Sequence, residues 1–189
     1  MDAYQKGIQF LQSGRLDEAV AQFELVLAER PDWAEAYVNL GVAYFEKGQV
    51  GRAIEQYKKA AAFDSACEEV HYNLGVAYEQ QGMLDEAQAA YREALRLRPS
   101  VPETHCNLAN IFREKGMLEE AIEEYRFAIE LNPHFALAHN NLAVTYAMNA
   151  NYDAAAHHAG IAKTLGYQVH TDFLAHLKQA GRQEKEKQK

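Results

Sequence analysis

The side chains best suited to chemistry in this sequence are its eight histidines, two cysteines and many carboxylates. Their spacing argues against a catalytic centre. His71, His105 and His139 recur every 34 residues. On neighbouring helices packed about 8–10 Å apart they stand too far from one another to share a metal ion, whose nitrogen ligands lie about 2.0–2.1 Å away. Substitution for a packing aromatic accounts for them better. His157 and His158 are adjacent, so on a helix they point about 100° apart. They read as surface or interface residues, with metal affinity as the alternative. Cys67 and Cys106 lack CxxC spacing and read as small buried or half-buried thiols, against metal or disulfide roles. Only three serines occur, Ser13, Ser65 and Ser100, and none lies in a G-x-S-x-G elbow. No G-x-G-x-x-G, phosphate-binding loop or H-E-x-x-H motif is present. Glu119-Glu120 and Glu123-Glu124 sit among polar letters and form a solvated face rather than an acid/base pair. The chain is therefore expected to be non-catalytic, with no cofactor and no metal.

The elements that position these side chains follow a strict period. Asn39, Asn73, Asn107 and Asn141 are each 34 residues apart. So are Gly14, Gly48, Gly82 and Gly116, and Ala19, Ala53, Ala87, Ala121 and Ala155. Phe23, Tyr57, Tyr91 and Tyr125 keep the same step, as do Pro31, Pro99 and Pro133, with Ser65 in the gap. Within one unit His71, Leu74, Gly75 and Tyr78 have helical spacing, Gly82 breaks the run, and Ala87, Tyr91, Ala94 and Leu95 resume it until Pro99. Each unit is thus a helix, a tight turn and a second helix. Asp17-Glu18, Asp85-Glu86 and Glu119-Glu120 open second helices, where the partial positive charge of the terminus favours carboxylates. Gly51-Arg52 replaces that pair in the second unit, so its second helix should start less firmly. Two helices cannot enclose a core, and each unit must cover its apolar stripe with a neighbour. Gly or Ala at positions 41, 75, 109 and 143 lets helices approach, and Tyr57 and Tyr91 are expected to fill space against the next unit.

These letters resemble the tetratricopeptide repeat family, whose pattern is followed almost throughout by "YVNLGVAYFEKG" from Tyr37 and "AIEQYKKA" from Ala53. The resemblance implies an all-α, right-handed α-solenoid, a superhelix of helix-turn-helix repeats with a concave face lined by first helices. The repeats would span residues 1–33, 34–67, 68–101, 102–135 and 136–169, the fifth divergent. There Ala150 replaces the turn glycine, Ala159 the large aromatic, and Gly166-Tyr167 the Asn-Pro ending. Phe173, Leu174 and Leu177 then mark a capping helix over 170–181 that covers repeat five, and 182–189 reads as a basic flexible tail. The first helix begins almost at Met1 without a preceding cap, as if the chain were cut from something longer or that edge were left open for a partner.

In this family the concave lining comes from first-helix positions three or four apart. Here these include Glu35, Val38, Val42, Phe45; Glu69, Tyr72, Val76; Glu103, Cys106, Asn110; and Val144, each group beside its ladder asparagine. A carboxamide can both donate and accept, so it can pair with a peptide N–H and C=O together. An extended chain advancing about 3.3 Å per residue would meet one such amide about every third residue. The O-linked N-acetylglucosamine transferase branch, which "HCNLANIFREKG" resembles, holds extended peptide on such a ladder. The alternative is that each Asn bonds a neighbouring helix or water. The carboxylate clamp of the family's chaperone-tail binders is not matched: Tyr4, Ile8, Asn39, Glu69 and Asn73 stand at its places, with four of five lost. Glu35, Glu69 and Glu103 along one rim, with apolar Val42, Val76, Val144, Phe45 and Tyr72, favour a neutral-to-basic, partly apolar partner segment.

Composition narrows the classes further. Net charge is −8, but residues 178–189 carry five Lys/Arg against two Glu, leaving −11 on the rest, which repels nucleic acid. No stretch approaches the roughly 20 apolar residues of a membrane span, and "MDAYQKGIQF" has no signal-peptide character, so a cytoplasmic place is expected. The primary expectation is a non-catalytic scaffold binding a protein or peptide in its groove. The alternatives are a self-assembling module forming a homo-oligomer, as in magnetosome-associated members of the family, and a substrate-recruiting portion of a larger enzyme. The drifting fifth repeat and basic end favour a chain that ends naturally here.

Overall fold

The same turn closes every helix pair. In the computed structural model, which describes residues 2–187, each first helix ends in a residue with positive φ whose successor reaches back five positions with its N–H. Arg15 N donates to Phe10 O at 2.8 Å, Gln49 to Tyr44, Met83 to Tyr78 and Met117 to Phe112 at 2.9 Å, and Asn151 to Tyr146 at 2.8 Å. This is the Schellman closure, which satisfies carbonyls orphaned at a helix end and requires a left-handed residue. Gly14, Gly48, Gly82 and Gly116 supply it at φ 71–76°, whereas in the fifth turn Ala150 is forced to φ 55°.

The described residues hold eleven helices and no strand. They fall into two units, Met1–Pro99 and Ser100–Lys189. The first contains α1 (Ala3–Gln12), α2 (Leu16–Glu29), α3 (Ala34–Glu46), α4 (Val50–Phe63), α5 (Glu68–Gln80) and α6 (Leu84–Leu97). The second contains α7 (Pro102–Glu114), α8 (Leu118–Leu131), α9 (Ala136–Met148), α10 (Tyr152–Thr164) and α11 (Thr171–Lys187). The odd-numbered helices α1 to α9 are the first helices of their repeats. The Gly51-Arg52 pair does not shorten α4, which has the same 14 residues as α2, α6 and α8.

The large rings lie elsewhere than expected. Tyr57 and Tyr91 close over the bare Cα of Gly41 and Gly75 in the first helix of their own repeat, as Phe23 does over Gly7. The absent Cβ is what lets the ring in. In the second unit Ala109 carries a methyl at that place, and Tyr125, fully buried, reaches with its hydroxyl to Asn110 Oδ1 at 2.5 Å. One turn before each ring stands a small alanine at 0% exposure: Ala19, Ala53 and Ala87 in the first unit and Ala121 in the second, with Ala155 in the same register of repeat five.

Repeat five has no ring. Ala159 leaves a shallow surface, and α11 fills it with Leu177, 2% exposed, packed on Ala143, Ala155 and Ala159 with Phe173 and Leu174 beside it. The helix does not stop at 181 to give way to a flexible tail. It runs to Lys187, because no proline or turn glycine follows and Gln, Glu and Lys are good helix formers. Gln188 and Lys189 lie outside the described residues. At the other end no helix precedes α1 among the described residues, and its first turn is N-capped by Asp2, whose carboxylate accepts from Gln5 N at 2.8 Å. Among the described residues no helix is long and apolar enough to cross a membrane.

Candidate functional site

The first-helix face of the Met1–Pro99 unit is built from α1, α3 and α5. Asn39 is held at both ends of its reach: its Nδ2 donates to Tyr4 Oη at 3.0 Å and to Glu35 O, one turn back, at 2.9 Å. Tyr4 stacks on Trp33 with centroids 4.4 Å apart, and the Arg30 guanidinium lies 4.0 Å from the Trp33 ring. Burial, then the nearby Glu35 carboxylate, push the Tyr4 hydroxyl above its usual range, and Glu69 adds to the effect. Glu35 and Glu69 are exposed. Asn73 differs from Asn39. It is half-buried, and among the described residues its amide makes no hydrogen bond. Tyr72, Val76, Val42 and Phe45 are half-buried around these asparagines, with the Tyr72 ring 6.0 Å from Tyr91. Val38 is 6% exposed and belongs to the core rather than the lining.

In the Ser100–Lys189 unit the face comes from α7 and α9. Asn110 Oδ1 accepts from Tyr125 Oη at 2.5 Å and from Asn141 Nδ2 at 3.2 Å, and Asn141 Oδ1 in turn lies 3.4 Å from Asn140 Nδ2. The fourth ladder position is therefore part of an internal amide chain anchored by a buried phenol. Asn107 and Val144 are half-buried and Glu103 is exposed. Cys106, expected in the lining, is 2% exposed: its small side chain points into the core. Cys67 is half-buried, and among the described residues neither cysteine forms a disulfide.

The position expected to hold a packing aromatic does more than pack. Tyr37 Oη donates to Pro31 O at 3.1 Å; His71 Nε2 lies 3.1 Å from Ser65 O and His139 Nε2 3.2 Å from Pro133 O. Each ring ties down the loop that precedes its own helix, which an imidazole can do because Nε2–H replaces the phenol O–H. A second feature escaped the sequence analysis: His105 Nδ1 lies 2.6 Å from Glu124 Oε2, and His139 Nδ1 lies 3.0 Å from His158 Nδ1. His157 is exposed, as a surface residue should be, but His158 is half-buried between His139 and Tyr146. The common offset of 19 residues was the available signal. No group of three or more His, Cys, Asp or Glu able to hold a metal ion occurs among the described residues.

Helix pairs on a 34-residue step, closed by left-handed turns and wedged by rings over small residues, define an α-solenoid repeat protein. The chain belongs to the tetratricopeptide repeat family: the family's profiles match residues 7–48, 43–82 and 109–149 (TPR repeat) and 68–101 (Tetratricopeptide repeat). A search among curated protein sequences finds no match. Among solved structures, the crystal structure of MamA is 26% identical with a TM-score of 0.81, the match covering 84% of this chain and 93% of that one. MamA 41-end from Desulfovibrio magneticus RS-1 is 18% identical with a TM-score of 0.82, covering 86% and 92%. YrrB, described as a TPR protein with an unusual peptide-binding site, is 22% identical with a TM-score of 0.79, covering 94% and 90%. The expected all-α solenoid of helix-turn-helix repeats is the fold of these structures.

Proposed function

We propose that the chain is a non-catalytic scaffold whose first-helix faces hold an extended segment of a partner protein. The observation that carries this reading is Asn73, a half-buried carboxamide with no internal hydrogen bond, set between exposed Glu69 and the half-buried side chains of Tyr72 and Val76. An amide in that setting can donate to a peptide C=O and accept from its N–H whatever the partner's side chains. The apolar neighbours supply area, and Glu35, Glu69 and Glu103 select neutral-to-basic segments over acidic ones. In this reading Asn39 and Asn141 exchange their internal bonds for ligand bonds, and Asn107 and Asn110 present their amides beside Val144.

The test is an immobilised array of short peptides that vary in basic and apolar content, probed with the wild-type chain and with Asn73→Ala. Binding of basic-apolar peptides that Asn73→Ala weakens several-fold supports the reading. Capture of acidic peptides, or equal affinity of both proteins, removes it. A second reading is self-association, favoured by Phe127 and Leu131, which are 52% and 44% exposed one turn apart on α8. Light scattering over a dilution series tests this second reading, and a monomer at every concentration discards it.

A further inference from the structure

In repeats four and five the fourth residue of the first helix meets the residue 19 further on, in the second helix of the same repeat. Repeat four places Glu124 there, 2.6 Å from His105. Repeat five places His158 at the equivalent position, its Nδ1 3.0 Å from His139 Nδ1, with the two rings 5.2 Å apart and inclined by 28°. Hydrogen-bonding rules fix the protons. Pro133 O can only accept, so His139 Nε2 at 3.2 Å carries a hydrogen. A neutral His139 then turns a bare Nδ1 toward its partner, and His158 must donate through Nδ1–H. The contact works with one proton between the rings and has no place for two.

The surroundings offer a second proton nothing. His139 is 4% exposed. The ionisable groups facing the pair among the described residues are Arg126 from α8, His157 from α10 and Tyr146 from α9, whose ring lies 5.7 Å from His158. None is a carboxylate. From α11, His176 meets Tyr152 edge-to-face instead, with centroids 6.2 Å apart. We propose that the His139–His158 pair is an acid-sensitive latch: when both imidazoles are charged the Nδ1–Nδ1 bond is lost, and α10 separates from α9 together with the cap helix α11 that rests on it.

The direction follows from linkage. Burial first, then the neighbouring His139, hold the His158 imidazole down at about 4, and burial also lowers His139 against the pull of the Pro133 carbonyl. An unfolded histidine takes its proton near 6.5, so the opened chain binds a proton that the closed pair refuses. The pair's contribution is complete above about pH 6.5 and is lost as the pH falls toward 4.

Native-state hydrogen exchange, corrected for the intrinsic pH dependence of amide rates, reads the latch directly. The amides of α10 are compared with those of α5 between pH 7 and pH 5 in the whole chain. In the wild type the opening constant of α10 is expected to rise about tenfold more than that of α5, allowing for the partial solvent screening of His158. His158→Glu rebuilds the repeat-four pair and should abolish the excess. Should that variant not fold, His158→Gln keeps a donor toward His139 without titrating and should abolish it as well. Parallel pH dependence of α10 in wild type and variant, or imidazole ¹⁵N shifts showing that His158 takes its proton near pH 6.5, overturns the latch.

Discussion

Tyr91 closes over Gly75 so tightly that a methyl carbon placed there would stand 2.5 Å from Cε1 of the ring. The same holds for Gly41 beneath Tyr57 at 2.4 Å. Gly75→Ala should therefore cost about 1–3 kcal/mol through overpacking, despite alanine's better helix propensity. Urea unfolding checks this, and an unchanged midpoint would mean that the ring moves aside freely.

Ala150 holds a backbone conformation that its four counterparts assign to glycine, at φ 55°. Left-handed geometry costs an L-residue about 1–2 kcal/mol. Ala150→Gly is expected to stabilise the fifth repeat by about 1 kcal/mol, a rise of about 2–4 °C in Tm. A lower Tm in differential scanning calorimetry contradicts this account.

Thr104 is 1% exposed, and its hydroxyl has no hydrogen-bond partner among the described residues. Ala36, Val70 and Ala138 fill the same place in other repeats, all at 0% exposure. Thr104→Val removes an unsatisfied polar group while keeping the shape, and is expected to add about 1 kcal/mol. Loss of stability would reveal a partner for that hydroxyl.

The ladder asparagines should separate in their effect on stability. Asn39→Ala and Asn141→Ala each remove hydrogen bonds and should cost about 1 kcal/mol. Asn73→Ala removes none and should leave the midpoint of chemical unfolding where it was. An equal cost at all three positions would assign the ladder to folding rather than to a ligand.

Leu177 is the anchor of the cap, 2% exposed against three alanines of repeat five. Leu177→Ala should cost about 2–5 kcal/mol locally and make α11 the first site of limited proteolysis. Resistance of α11 equal to wild type would show that Phe173 and Leu174 hold it without Leu177.

Much of this was written in the period of the apolar letters. Gly48 and Gly82 announced the turns, and Pro99 and Pro133 the ends, because backbone geometry admits few residue types at those places. What the letters did not specify was direction. Tyr57 could pack forward or backward, and only the bare Cα of Gly41 draws it onto its own repeat. The ladder was equally opaque: four identical asparagines differ because Tyr4 happens to face Asn39 and Asn110 happens to face Asn141. The His139–His158 contact pairs two residues 19 apart, an offset that apolar periodicity does not advertise.

That offset makes the repeat a modular host for titrating groups. In repeat three the residue 19 beyond His71 is Ala90, so the register offers an address with one ring and a methyl in place of its mate. Since each hairpin of such an array stands or falls largely with its immediate neighbours, installing an imidazole or a carboxylate at that single address would let an engineer choose which repeat yields first to acid, without redrawing a turn or touching the apolar wedge.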